Sequence, residues 1–476
     1  MSFVNASVEA KQDEGQVYEV QTSAQSKSLA AAEISARIER LPLSTWHLRL
    51  VSVVGTAHLL DAFDSLAIAL ALPVLIEIWH FTPAEIGVVI SIGYVGQMLG
   101  AVGMSALAER FGRLRVLRIT LGIMAGLSVA IAFAGSYMSF VVLRFIQGVG
   151  LGGEVPVAAT LVNELTPARF RGRITSSLQT MFAAGILVTS LAALWLIPQF
   201  GWQSLFFVGA LPGLLMCVIG WLVPESPRWL AFKGRTREAS AVLDRIEATI
   251  SKNGKRALPA AEPVSRISTG KGGRLPDLFR NGYATRTICV WMLMFCVSAT
   301  GNALIAWLPT IYKTVYKVSL TDTFHLSTIL GVAGLAGAIT SIGVIDSLGR
   351  RRTFMIALFG SAIPLTMLGL VPAASLVTVV VLLTLGNYLI AIGLGSVHVY
   401  ATEIYPTRMR ALGAGTAMAW LRIAQIVSPL AIGFLLGNLG PSSVFMFMAA
   451  MATIGGVTVA IAAIETKGRT LEELSS

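Results

Sequence analysis

Charged residues are scarce in this chain, and cysteines are scarcer still. Asp, Glu, Lys and Arg make up 13% of the 476 residues against 55% hydrophobic, and mean hydropathy is +0.73. That balance excludes an ordinary soluble globular protein and leaves the polytopic membrane class. The three cysteines, Cys217, Cys289 and Cys296, lie in apolar stretches, so no disulfide framework or metal-ligand spacing exists. No Walker-type phosphate loop, metal cluster or nucleophile arrangement occurs, so neither an ATP-driven pump nor a membrane hydrolase is expected, and no cofactor. The apolar runs are continuous and do not alternate, which argues for helices and against a barrel. The first 30 or so residues lack the charged start, apolar run and cleavage site of a signal peptide and are expected to form a disordered cytoplasmic tail.

A bilayer core of about 30 Å takes about 20 helical residues. Twelve stretches of that order are predicted, near Leu48–Ile78, Pro83–Leu107, Val116–Ala134, Arg144–Arg173, Ile174–Ile197, Trp202–Val223, Arg286–Ile311, Phe324–Ile345, Thr353–Val371, Leu376–Thr402, Ala411–Gly437 and Ser443–Ile464. Gly93, Gly96, Gly100 and Gly103 form a small-residue seam along the second. Three landmarks recur at a nearly constant offset: Glu109 and Asp346 (346 − 109 = 237), Glu164 and Glu403 (403 − 164 = 239), Glu225 and Glu465 (465 − 225 = 240). The chain is therefore a tandem duplication of six-helix halves, an all-α integral membrane fold. The expected organisation is a tail with an amphipathic lead-in at 1–45, a first half at 46–223, a cytoplasmic linker at 224–285, a second half at 286–464 and a tail at 465–476.

The net charge of +11 invites a nucleic-acid reading, but the basic residues sit in short loops, as orientation signals do. Arg110, Arg113, Arg115, Arg118, Arg169, Arg171, Arg173, Arg350, Arg351, Arg352, Arg408 and Arg410 all fall on one side, whereas the opposite loops hold almost nothing basic except Lys313 and Lys317. Both termini and the linker are thus expected in the cytoplasm, and no nucleic-acid partner is expected.

Against this background a few ionisable side chains stand at membrane depth, where a charge costs about 2.5–3.5 kcal/mol even on insertion scales and persists mainly beside a protein interior or water path. The fourth stretch carries Arg144 and Glu154. The first holds Asp61 and Asp64, three apart and so predicted on one face. These four are the candidates for proton coupling, because a carboxylate there can load and release a proton as its surroundings alternate; which aspartate does so the spacing leaves open. Arg422 lies about 12 residues, hence about 18 Å, from Arg410. Its planar fork suits a carboxylate substrate, the alternative being a structural ion pair. Gln179, Phe182, Trp291, Phe295, Asn302, Asn387, Tyr388 and Trp420 are candidate pocket walls, with Phe, Trp and Tyr offering stacking to a ring. His58 and His398 are titratable but read first as packing. Glu109, Arg113, Glu164, Arg169, Glu225, Arg228, Asp346, Arg350, Glu403 and Arg408 are expected to form ion pairs that latch a cytoplasmic gate and part when the halves rock.

The motifs PESPRWL at 224–230, ETKGRTLEEL at 465–474 and the paired E-x-x-P-x-R-x-R exits at Glu164 and Glu403 resemble the major facilitator superfamily, over nearly the whole chain after about Ile34. D-A-F-D at Asp61–Asp64 resembles the aromatic acid and metabolite proton symporters. RFIQGVGLGGEVPVAATLVNE and LRIAQIVSPLAIG are similar to the nicotinate-transporter branch. The loop after the second helix departs from the superfamily pattern at Ser105, Glu109 and Leu114, and Ala62 and Ile464 replace a glycine and a proline. The resemblance implies Arg144 as partner of a first-helix aspartate, and it favours an anion, since cation-transporting relatives carry an acidic residue near Arg422. It implies a proton-coupled symporter importing a small organic, aromatic carboxylate such as nicotinate or a benzoate, acting as a monomer in a bacterial inner membrane with protons as co-substrate. A sugar or polyol carrier of the same fold is the alternative, for which PESPR speaks and against which Arg422 speaks; a non-transporting sensor is a third.

Overall fold

The computed structural model describes residues 32–254, 258–260, 274–280, 282–371 and 375–467; the expected N-terminal tail and most of the C-terminal one lie outside them. Among the described residues twelve helices are long and apolar enough to cross a membrane, and no strand occurs. We number them α1 (Thr45–Trp79), α2 (Pro83–Phe111), α3 (Arg113–Ala132), α4 (Tyr137–Leu165), α5 (Ala168–Phe200), α6 (Gln203–Leu222), α7 (Tyr283–Thr314), α8 (Leu320–Leu348), α9 (Arg350–Leu370), α10 (Leu376–Glu403), α11 (Thr407–Leu439) and α12 (Pro441–Ala462). α6 is interrupted around Gly209–Leu211, just before Pro212.

Several helices start earlier than the sequence expectation. α3, α5, α9 and α11 begin three to six residues earlier than hydropathy predicts, so the basic residues assigned to loops occupy first helical turns. α4 likewise starts at Tyr137, capped by Ser136 whose hydroxyl accepts from the Ser139 N–H. Arg144 is therefore about two turns inside the helix instead of at its entrance.

Cations at a helix N-terminus oppose the helix dipole, and the fold answers this twice in the same way. At the start of α3 the Glu225 carboxylate accepts from the backbone N–H groups of Arg113 (3.0 Å) and Leu114 (3.2 Å). At the start of α9 Glu465 accepts from Arg350 (2.8 Å) and Arg351 (3.1 Å). Partial burial pushes the Glu465 carboxyl up, but the N–H groups of Lys467, Arg350 and Arg351 outweigh it and hold the group below its ordinary range. Each carboxylate nests against a glycine at positive φ, Gly112 (106°) and Gly349 (88°), where a Cβ would stand 2.4 and 2.5 Å from a carboxylate oxygen. The duplication legible at Glu225 and Glu465 is thus a repeated helix cap.

Small residues set the spacing of α2 and α4. A Cβ at Gly96, Gly100, Gly148 or Gly152 would lie 2.2, 2.1, 2.2 or 1.9 Å from a backbone carbonyl oxygen of the other helix, whereas Gly103 faces open space. The seam predicted on α2 therefore ends at Gly100. Gly152→Ala is expected to force the two backbones apart and cost about 1–3 kcal/mol, read as a lower thermal midpoint of the detergent-solubilised protein; Gly103→Ala is the control. Equal midpoints for the two would show that the seam does not set the packing.

A short helix at residues 32–39 docks on the linker helix Thr236–Gly254. Ile34, Ile38 and Leu41 share a buried cluster with Leu243, Ile246 and Ile250, and Arg37 and Arg40 both pair with Glu247 at 2.8 Å. Burial raises the Glu247 carboxyl, but these two guanidinium groups bring it below its usual range.

Candidate functional site

The intramembrane charges sort into three groups. Asp61 and Asp64, predicted on one face of α1, take different surroundings, because three residues advance a helix by about 300° and so separate the side chains by about 60°. Asp64 is fully buried and turns toward α3 and α4. Its carboxylate accepts from Ser128 Oγ (3.0 Å) and Gln147 Nε2 (2.5 Å), and Arg144 donates to Gln147 Oε1 (2.7 Å). Arg144 and Asp64 are thus joined through the Gln147 amide, with a further 3.5 Å contact from Arg144 to the Asp64 carbonyl.

Asp61 joins a second group. Ligand atoms of His58, Asp61 and Glu154 all lie within 4.8 Å of one another; His58 Nδ1 is 3.3 Å from Glu154 Oε2, and the three residues are 6%, 5% and 0% exposed. Asp61 Oδ1 and Glu154 Oε1 are buried with no hydrogen-bond partner. Glu154 therefore sits with the histidine and Asp61, apart from Arg144.

Arg422, midway along α11, forms the third. It hydrogen-bonds Gln97 Oε1 of α2, in the other half, and Gln425 Oε1 at 2.9 Å; among the described residues it forms no ion pair. Both deep arginines use one device, an amide three residues on: Arg144-x-x-Gln147 and Arg422-x-x-Gln425. That spacing was a readable signal for Gln147 and Gln425. Ser128 and Gln97 carry neither charge nor motif, and the three-dimensional contacts alone reveal them.

A cavity of about 960 Å³ lies between the halves, lined by His58, Asp61, Tyr94, Gln97, Arg422 and Gln425 at depth and reaching Gly172, Asp346 and Arg350 at the linker face. The opposite face is closed. There Ser91 Oγ donates to the Ile426 carbonyl at 2.7 Å, Lys313 pairs with Glu77 at 2.8 Å, and Gly87 and Gly433 bring α2 against α11, where a Cβ would meet Pro429 and Pro83 carbonyl oxygens at 2.7 and 2.5 Å. A solute therefore has access from the linker face.

Of the predicted walls, Gln179, Phe182, Asn302, Asn387 and Arg422 line this cavity, as does His398. Asn302 and Asn387 are also held in place, donating to Ser298 Oγ (3.0 Å) and the Leu330 carbonyl (2.9 Å). Trp291, Phe295, Trp420 and Tyr388 are not among the lining residues. Trp291 stacks on Trp420 (centroids 5.6 Å apart, 28°) and donates to Thr416 at 3.2 Å, with Phe295 edge-on to Trp420 at 6.3 Å; these rings pack α7 against α11. Tyr388 meets Thr340 Oγ1 at 3.2 Å, between α10 and α8.

At the linker face the predicted gate residues pair inside each half. Arg113 grips Glu164 with two 3.1 Å bonds, and Arg350 grips Glu403 at 3.0 and 2.8 Å while also meeting Asp346 at 3.0 Å. Arg228 pairs with Glu39 of the lead-in helix at 2.9 Å, and Arg169 donates to the Leu41 carbonyl at 3.1 Å. Glu109 is exposed, and its carbonyl accepts from Trp229 Nε1 at 2.9 Å. The Arg408 side chain lies outside the described residues. None of these contacts crosses between the halves, which agrees with a cavity open on this side.

Comparisons with known proteins converge on this architecture. The model of the family described as "Sugar (and other) transporter" matches residues 15–476. The chain is 33% identical over 446 residues to a niacin transporter of Acinetobacter baylyi, covering 93% of this chain and 99% of that protein. It is 28% identical to a 4-hydroxybenzoate transporter of the same organism, covering 86% and 89%. Among solved structures, a partially occluded inward-open conformation of the xylose transporter from E. coli superposes with a TM-score of 0.72 at 20% identity, over 90% of this chain and all of that one; at that identity the likeness concerns the fold.

Proposed function

This chain belongs to the family of sugar and other transporters, a membrane transporter and not an enzyme, and from that premise we propose that it is a proton-coupled symporter importing a small aromatic carboxylate by alternating access. The observation that carries the reading is Arg422: a half-buried guanidinium that borders the central cavity and, among the described residues, is held by the neutral amides of Gln97 and Gln425 with no ion pair. A cation so placed is neutralised when a carboxylate solute arrives. The names of the niacin and 4-hydroxybenzoate relatives, both aromatic acids, support it. In this reading the linker face is cytoplasmic, as the arginine-rich helix starts indicate, the membrane is a bacterial inner membrane, and the structure is the inward-facing member of the cycle. Asp61, Asp64, Arg144 and Glu154 serve coupling, and Gln179, Phe182, Asn302 and Asn387 help shape the pocket. Arg113, Arg169, Arg228 and Arg350 with Glu109, Glu164, Glu225, Asp346 and Glu403 would exchange partners across the halves when the cytoplasmic side closes.

One proton carried with one monoanion moves no net charge, so uptake would respond to a pH gradient, at about 1.4 kcal/mol per unit, and hardly to membrane potential. A thermal-shift screen of the purified protein is expected to give stabilisation by nicotinate or benzoate and none by xylose. A response to xylose alone would replace the carboxylate reading with the sugar reading.

A further inference from the structure

Resting on the alternating-access reading above, we infer that the lead-in helix is an autoinhibitory strap: it holds arginines of the first half at the linker-face mouth of the cavity and so opposes closure of that face. The strap turns on Glu39, whose single carboxylate joins three elements. Its Oε2 accepts from the Ala168 N–H at the start of α5 (2.7 Å), and its Oε1 accepts from Arg171 of α5 (3.2 Å) and from Arg228 of the short helix Pro227–Phe232 (2.9 Å). Two residues on, the Leu41 carbonyl accepts from Arg169 at 3.1 Å. α5 begins after Pro167, which offers no side-chain cap, so a residue 129 positions away supplies one.

The strap is fastened from behind. Beyond the apolar seam and the Glu247 pairs already described, Arg37 reaches Asp244 at 2.6 Å and Arg40 donates to the Pro259 carbonyl at 3.3 Å. The linker helix in turn rests on Pro227–Phe232 and on α1, so these anchors belong to the linker and the first half. Across the mouth stands the second half. Gly172, next to Arg171, and Asp346 of α8 border the same cavity. Asp346 is an acceptor with capacity to spare: its side chain is 75% exposed, and its partner Arg350 already grips Glu403 with two bonds. When the halves rock together, the arginines at the start of α5 approach Asp346. Glu39 and the Leu41 carbonyl compete for those same cations. Closure must first break the strap's contacts, which weights the equilibrium toward the open form seen here.

The test reads the separation of the halves directly. Spin labels at Gly103→Cys of α2 and Gly343→Cys of α8, where a Cβ would meet open space, report it by double electron–electron resonance on the full chain in lipid nanodiscs, with Cys217→Ser removing the exposed native thiol. Glu39→Gln keeps an oxygen for the Ala168 N–H but removes the charge that holds Arg171 and Arg228. It is expected to raise the closed-to-open ratio about threefold to tenfold, as the loss of two surface ion pairs allows. Removing residues 1–43, which also takes away the Leu41 contact, is expected to raise it further. Adding Asp346→Asn to Glu39→Gln should bring the ratio back toward that of the parent. An unchanged distribution in a folded Glu39→Gln protein, or a shift toward longer distances, would overturn the inference, as would a double variant as closed as the single one. Saturating nicotinate separates the two readings: a parent distribution that nicotinate shifts while Glu39→Gln does not would sink the strap alone, and one that neither moves would sink both.

Discussion

Arg422→Ala is expected to weaken binding of an aromatic carboxylate by about a hundredfold or more and to abolish its uptake. Truncating one partner of a buried, hydrogen-bonded charge pair costs about 2–5 kcal/mol, and each 1.4 kcal/mol is about tenfold in affinity. The substitution separates function from folding because Arg422 has no carboxylate partner to strand. What it releases are the carbonyl oxygens of Gln97 and Gln425, which border a cavity wide enough for water. Arg422→Lys retains the charge but loses the planar fork, so an intermediate loss is expected. Isothermal titration with nicotinate and benzoate, beside a melting curve, decides the matter. Undiminished affinity in a folded Arg422→Ala protein would end the anion reading.

Asp61→Asn should uncouple transport. With one proton per monoanion, a gradient of two pH units supports accumulation of about a hundredfold. The variant is expected to bring labelled substrate only to equal concentrations inside and out, while counterflow exchange at saturating substrate continues. The geometry ranks the two aspartates. Asp61 borders the cavity, which gives a proton a route from water to its carboxyl group, while its buried Oδ1 has no hydrogen-bond partner. Asp64 is sealed behind it, accepting from Ser128 and Gln147 while Gln147 in turn holds Arg144. Asp64→Asn replaces an acceptor oxygen by a donor amide facing those donors; it should impair turnover of uptake and exchange alike. If instead Asp64→Asn accumulated nothing yet exchanged freely, and Asp61→Asn concentrated substrate normally, the two roles would be reversed.

The same contrast explains what sequence reasoning could reach at the site. Arg144, Glu154, Asp61, Asp64 and Arg422 announce themselves because an ionised group at membrane depth is costly wherever it points. The residues that make them a site do not. Gln97 meets Arg422 across 325 positions of chain, and Glu154, a proton-coupling candidate with no partner named from the sequence, joins His58, 96 positions away. The aromatic residues divided for a similar reason: Phe182 faces the cavity, while Trp291 and Trp420 turn their rings on each other. Hydropathy also stopped short at the arginine-bearing helix starts, since it scores a charged turn as loop even where Glu225 and Glu465 cap it.

Sequence alone determined the class, the twelve spans and the doubling of the chain, because crossing a bilayer demands a length of apolar helix that no packing detail can waive, and because duplicated landmarks persist in one dimension. It also determined which few ionised side chains had to have a purpose. Tertiary structure alone decided which of them meet and which face of each helix looks inward. In lipid a helix is apolar nearly all round, so periodicity does not separate the side that touches lipid from the side that touches a neighbour. Only the packing of helices distant in sequence makes that distinction.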